Sequence, residues 1–387
     1  MRQDEPMDAT RIVNVADARR KARWMLPRVV FDYIDGAADD EVTMHENEAA
    51  FREIFFKPRM ALGTTQPSLD TTVLGTPVTL PVLLAPVGLV RLMHPEGPVG
   101  VARAATCAGT VSILSTVAGS SPEEVAAGST GHRWFQLYSP NRETAKPLMD
   151  RAAAAGYEAL MVTVDTPALG NRERDLTTGA AAKLDLRTVM KLAPQVLARP
   201  GWGVGMLRSG SRSPDAAGRH ALAIGRSLGA ALTVLVSPYT WEDVTWIAEQ
   251  WDGPVLVKGI LSAEDARHAL DAGAKAVVVS NHGGRQLDGA PATMRVLPEV
   301  VDAVGGKAEV MLDGGVRRGS DVVKAIAIGA KAVLIGRPFV YGLAAAGQAG
   351  VERVIEILRA DMVRTLSLLG CAKVGDLDRS WLQPFRP

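Results

Sequence analysis

The chain has 387 residues, enough to bury a large core either as one big barrel or as two ordinary domains. Its 43 Lys and Arg against 42 Asp and Glu leave a formal net charge of +1, which excludes a global field that would gather nucleic acid, so any anion must be bound locally. Two distant cysteines, Cys107 and Cys371, exclude a disulfide framework, and the opening MRQDEPMDAT lacks the features of a signal peptide, so a cytoplasmic protein without a membrane span is expected.

Residues 1–79 read as a helical cap, "IVNVADARRKARWMLPRVVFDYIDGAADDE", followed by irregular chain. Short β-branched runs then recur: "LPVLLAPVG" (80–88), "VSILST" (111–116), "RWFQLY" (133–138), "ALMVTVD" (159–165), "PVLVKG" (254–259), "AVVVSN" (276–281), "EVMLDGG" (309–315) and "KAVLIGRP" (331–338). Helix-start signals lie between them. Ser121 is an expected N-cap with Pro122 and Glu124 behind it, and Thr240 with Asp243 and Ser262 with Asp265 repeat the arrangement. Alternating strands and helices imply a parallel sheet, and eight units close a (β/α)8 TIM barrel, expected here as a single domain over 1–387. A doubly wound open sheet is the rival, disfavoured by the absence of a glycine-rich turn after the first strand.

The stretch 176–240, after the fourth strand, is a long insertion expected to act as a lid or contact surface. It holds "VLARPGWGVGMLRSGSR", in which Trp202, Met206 and Leu207 mix with Arg199, Arg208 and Arg212, a combination suited to a membrane interface. "GWGVG" is not read as a nucleotide loop, since no strand precedes it. Trp241, Trp246 and Trp251 are expected to pack. His45, His94, His132, His220 and His268 show no metal-ligand spacing, and no metal is expected.

Barrel chemistry gathers at the carboxyl ends of the strands. There this chain sets Ala85, Pro86, Val87 and Gly88; Ser115; Gln136 and Tyr138; Thr163 and Asp165; Lys258; Ser280, His282 and Arg285; Asp313, Gly314, Gly315 and Arg317; Gly336 and Arg337. The last two ends occupy the usual phosphate position, where bare amides and arginines surround a dianion, although such glycines also serve plain tight turns. Lys258, at the end of a buried run, is read as neutralising charge on a cofactor. His282 is read as a base oriented by Asp165, with Arg285 and Arg172 forking onto a substrate carboxylate and Tyr138 bonding the oxygen being oxidised.

"FDYIDGAADDE", "LAPVG", "HPEG", "WFQLY", "TVDTP", "LVKGI", "VSNHGGRQLDG", "LDGGVRRGSDV" and "IGRPFVYGLAAAGQAGV", in that order, resemble the FMN-dependent 2-hydroxy-acid oxidising family, which includes glycolate oxidase, L-lactate dehydrogenase and L-mandelate dehydrogenase. The resemblance implies FMN as cofactor, His282 as proton-abstracting base with Asp165 as its partner, Arg172 and Arg285 on the substrate carboxylate, and Tyr33 and Tyr138 facing substrate. It further implies that Ala85 to Gly88, Ser115, Gln136, Thr163, Lys258 and Ser280 touch the flavin ring and ribityl chain. Asp313, Gly314, Gly315, Arg317, Gly336 and Arg337 match the ribityl and phosphate contacts, and tetramers are common among such relatives.

One departure matters. Where glycolate oxidase has a tryptophan, "LSTVAG" has Val117, which argues against glycolate. "APVGL", "LSTV" and Gly88 resemble the quinone-linked L-lactate dehydrogenases, so a quinone at the inner face of the membrane is the expected acceptor and dioxygen the alternative. An FMN-dependent isopentenyl diphosphate isomerase has no use for paired substrate arginines. A non-catalytic flavin-binding barrel is the remaining alternative, and the intact set of His282, Asp165, Arg172 and Arg285 speaks against it.

Overall fold

The computed structural model describes residues 8–178, 186–210 and 236–383. Much of the expected insertion, with Arg212 and His220, therefore lies outside the described residues. Eight parallel strands form a closed barrel in chain order: β1 (Val82–Leu84), β2 (Ser112–Ser115), β3 (Arg133–Leu137), β4 (Ala159–Thr163), β5 (Val255–Ile260), β6 (Ala276–Val279), β7 (Glu309–Leu312) and β8 (Ala332–Ile335). Closure comes from β8 pairing with β1, Val333 opposite Val82 and Ile335 opposite Leu84. The fold is thus the (β/α)8 barrel, and the open sheet is excluded.

Because successive side chains on a strand point to opposite faces, each strand feeds two cores. Outward residues such as Leu84, Phe135 and Val257 pack under the helices, whereas Leu83, Ile113, Trp134, Met161, Leu256, Val278, Met311 and Leu334 fill the barrel interior. Two positions further along each strand, the same inward alternation reaches Ala85, Ser115, Gln136, Thr163, Lys258, Ser280, Asp313 and Gly336. The apolar filling gives way to polar or small groups at one level of all eight strands. That level is the floor of the site. At the opposite end a hairpin, Thr71–Val73 with Thr76–Val78, plugs the barrel with Val73 and Val78, and Leu74 N donates to Glu309 at 2.9 Å.

Among the described residues three α-helices precede the barrel: α1 (Val15–Met25), α2 (Arg28–Asp35) and α3 (Val42–Ala50). The strands are then followed by α4 (Gly97–Ala108), α5 (Pro122–Gly128), α6 (Arg142–Ala154), α7 (Glu173–Thr178), α8 (Leu186–Leu197), α9 (Pro200–Gly210), α10 (Trp241–Gln250), α11 (Ala263–Asp271), α12 (Thr293–Val304), α13 (Gly319–Ile328) and α14 (Arg337–Leu369). The anticipated caps form: Ser121, Thr240 and Ser262 accept from the amides of Glu124, Asp243 and Asp265. Glu124, however, does not reach back to its cap. Its carboxylate lies 2.6 Å from Arg91 Nη1, because a charged partner outcompetes a backbone amide.

The insertion helix α9 docks on the loop after β1, with Trp202 Nε1 donating to Leu92 O at 2.8 Å. Trp202 is therefore turned inward, a correction to the expectation that it faces a membrane. Among the described residues no helix is long and apolar enough to cross one. Trp251 is buried, while Trp241 stacks on His268 and Trp246 lies under Arg142.

Candidate active site

The chain leaves β6 through Ser280 and Asn281 and turns back at His282, which adopts φ +59°, followed by Gly283 at +66° and Gly284 at +75°. A left-handed histidine costs about 1 kcal/mol, and the two glycines continue the curl without penalty. Local bonds hold it there. His282 N donates to Ser280 Oγ at 3.1 Å, and Asn281 exchanges amide bonds with Asn47 of α3 at 2.8 and 2.9 Å. The ring nitrogen Nδ1 lies 3.0 Å from Asp165 Oδ1, and Nε2 lies 3.4 Å from Tyr138 Oη.

Asp165 reaches this place because Gly259, at φ +111°, leaves room: a Cβ there would stand 2.7 Å from the Asp165 Cβ. Burial pulls the His282 pKa below its ordinary 6.5 despite the opposing pull of Asp165, so the resting imidazole is neutral. Burial pushes Asp165 upward, but His282 and Lys258 outweigh it and hold the carboxyl below its usual range. With Asp165 ionised, the hydrogen sits on Nδ1 and Nε2 is free to accept.

Two guanidiniums face this pair. Arg285 lies 5.3 Å from the Tyr33 ring centroid and donates Nη1 to Gly36 O at 2.6 Å. Burial first, then the like charge of Arg172, pulls Arg285 down to about 9. The two cations repel until an anion lies between them, which is what a carboxylate site requires. Burial raises the Tyr138 hydroxyl well above 10, keeping it a donor. Lys258, only 4% exposed, donates to Ser280 Oγ at 2.7 Å and lies 3.0 Å from Asp313 Oδ2. Burial would lower its pKa, but Asp313 and Asp165 raise it, so it stays a cation.

At the β7 and β8 ends, Gly314 and Gly315 adopt φ +89° and +79°, and a Cβ on Gly315 would run into the Asn47 carbonyl. These glycines are demanded by α3 pressing on the turn as much as by any ligand. Arg317 Nη2 lies 3.0 Å from Glu48 Oε1. Arg337 donates Nε, Nη1 and Nη2 to the carbonyls of Ile34, Gly283 and Gly36, tying the cap to the rim. The first amides of α14 have no side-chain cap, and such unpaired donors suit a phosphate.

These groups line one crevice at the carboxyl ends of the strands. Every expected site residue lines it except Gln136, Thr163, Asp165 and Ser280, which sit in the layer beneath or behind. Gln136 Nε2 and Thr163 Oγ1 in that layer, and Asp313 Oδ1 at the crevice wall, are buried with no protein partner, an unmet donor and acceptor set that fits the heteroatom edge and hydroxyl chain of FMN. Among the described residues no group of three His, Cys, Asp or Glu could hold a metal ion.

A flavin-dependent (β/α)8 oxidoreductase is the class that this fold and crevice define. The FMN-dependent dehydrogenase family model matches residues 22–384, and the chain belongs to that family. It is 44% identical over 379 residues to an L-lactate oxidase of Nostoc sp., covering 96% of this chain and 98% of that one. It is 40% identical over 371 residues to the glycolate oxidase of Spinacia oleracea, covering 95% of each. Among solved structures, an (S)-mandelate dehydrogenase described as a monotopic membrane protein superposes with TM-score 0.87 at 38% identity, covering 96% of this chain and 99% of that one. The protein is an FMN enzyme that oxidises 2-hydroxy acids at the CH–OH carbon.

Several residues of the site carry no sequence-level role. Thr166 and Leu169 line the crevice, Asn47 and Glu48 reach the rim from α3, and Gln286 bridges two rim loops. For Thr166, Leu169 and Gln286 the available signal was proximity in the chain to Asp165, Arg172 and Arg285, which marks the loop but not the role; for Asn47 and Glu48 there was none.

Proposed function

We propose that the enzyme oxidises an L-2-hydroxy acid resembling L-lactate to the 2-oxo acid, with His282 as the base. The observation that carries this reading is the imidazole clamped at Nδ1 by Asp165 at 3.0 Å, its other nitrogen turned to Tyr138 in a crevice lined by two half-buried guanidiniums. Arg172 and Arg285 fork onto the substrate carboxylate, which relieves their mutual repulsion. Tyr33 and Tyr138 bond the polar atoms of the substrate, and His282 Nε2 takes its proton, Asp165 stabilising the imidazolium that results. FMN, when bound, supplies the acceptor for the two electrons, held by Ala85 to Gly88, Ser115, Gln136, Thr163, Lys258 and Ser280 about its ring and by Asp313 to Gly315, Arg317, Gly336 and Arg337 about its chain and phosphate. Lys258 contributes a buried positive charge against the negative charge that reduction brings.

Val117 and Leu169 give the substrate side chain an apolar wall, and Val117 packs against Gly88, where a Cβ would stand 3.1 Å from its Cγ2. A methyl-bearing substrate gains from that wall and glycolate does not. Anaerobic bleaching of the yellow protein tests the reading. L-Lactate should reduce the flavin, and His282→Gln should keep FMN but lose reduction by about a thousandfold or more. Full-speed bleaching by the variant would remove His282 as base.

A quinone at a membrane surface is the proposed acceptor. Met190, Leu197, Val204 and Leu207 on α8 and α9 are exposed, Leu197 at 77% and Leu207 at 79%, a density of bare apolar side chains that a lipid interface would cover. Dioxygen is the competing acceptor, and reoxidation by air against a quinone analogue separates the two.

A further inference from the structure

Gln286 spends both ends of its side chain on the neighbouring rim loop. Nε2 donates to the carbonyls of Asp165 at 2.9 Å and Ala168 at 2.7 Å; Oε1 lies 3.2 Å from the Gly170 amide and 3.4 Å from Arg172 Nη2. A primary amide has two donor hydrogens and a carbonyl with two lone pairs, so its bonding capacity is filled. The loops are also in close backbone contact, since a Cβ on Gly170 would run into the carbonyls of Arg285 and Gln286. Among the described residues the Arg172 guanidinium has otherwise one long bond, Nε to Arg285 O at 3.4 Å.

We propose that Gln286 is a positioning residue that locks the Asp165–Arg172 loop to the His282–Arg285 loop, setting the distance between the proton-accepting pair and the carboxylate-binding arginines. The proposal rests on the roles given above to His282, Asp165, Arg172 and Arg285. Asp165 and Arg172 stand at the two ends of the segment that the amide spans. Loosening the amide would free both at once: Arg172 would lose aim at the carboxylate, and Asp165 would drift from Nδ1.

The test compares wild-type holoenzyme with Q286L, which removes all four bonds, and Q286E, which keeps an acceptor for Gly170 and Arg172 but turns an oxygen toward two carbonyls. Both should retain FMN. For each, the KM for L-lactate and the Kd for pyruvate, read from the flavin spectrum, should rise about tenfold. The acid limb of kcat/KM should also move to lower pH, because Asp165 is what raises the His282 pKa. A residue that only stiffens the fold would lower Tm and leave these three readouts at their wild-type values, and that result overturns the proposal. Should Q286L shed its flavin, Q286E decides on the same readouts. A wild type that no 2-hydroxy acid bleaches defeats the function reading, and the pyruvate comparison still judges Gln286. A working wild type with an indifferent Q286E defeats the positioning role alone.

Discussion

At the scale of the residue, the site depends on one imidazole being neutral, oriented and strained. Burial lowers the pKa of His282 below 6.5 and Asp165 raises it in part, so the acid limb of kcat/KM should fall below pH 6.5, activity rising as the ring loses its proton. Asp165→Asn reverses the logic of the pair. An amide can donate to Nδ1 and drive the hydrogen onto Nε2, leaving no acceptor for the substrate proton, so kcat should drop by about three to four orders of magnitude with FMN retained. A pH–rate profile of both proteins checks this, and an acid limb above pH 7 in the wild type would contradict the buried, neutral ring. Glu48 shows what a residue's neighbourhood adds: Arg317 stands in the phosphate position yet already holds a carboxylate at 3.0 Å.

At the scale of the element, strands were legible and their partners were not. All eight apolar runs are strands because each is buried on both faces, a demand that shows in composition. The polar residues two steps beyond the interior layer were legible for the same reason, since a lysine or glutamine continuing a buried strand needs an explanation. Trp202 was misread, because a short glycine-rich helix does not reveal which face it docks, and its indole finds the Leu92 carbonyl. The roles of Asn47 and Gln286 were invisible: each bonds a loop far away in the chain, which only tertiary closure brings near. The remaining apolar side chains of α8 and α9 carry the membrane reading. Leu197→Glu with Leu207→Glu should cut the fraction bound to anionic phosphatidylglycerol vesicles by about tenfold or more, as each exposed leucine offers roughly 1.5–3 kcal/mol on burial. Reduction by L-lactate in solution should be unchanged, and equal sedimentation of variant and wild type would leave α8 and α9 without that function.

At the scale of the molecule, the cap is tied to the barrel around the end of α2. Asp35 at the end of α2 is nearly inaccessible and is met by Arg19, Arg174 and Tyr341, while the carbonyl of the next residue, Gly36, receives both Arg285 and Arg337. Arg285, proposed to hold the substrate carboxylate, and Arg337, proposed to hold the phosphate, thus share one cap carbonyl. The floor residues come one from each strand, with Gln136, Thr163 and Asp313 carrying unmet polar atoms. A ligand that satisfies them binds only the closed barrel, and so must stabilise the whole fold by mass action. Removing FMN should therefore lower Tm for the entire transition, and adding it back at about a thousandfold over its Kd should restore roughly 4 kcal/mol. His282→Gln should show the same FMN-dependent shift, since the ring of His282 is assigned to substrate. Arg317→Met should show a smaller one, since Arg317 is proposed to hold the phosphate. Coincident melts with and without FMN would mean that the floor is satisfied by something else, and the unmet atoms of Gln136 and Thr163 would then need another ligand.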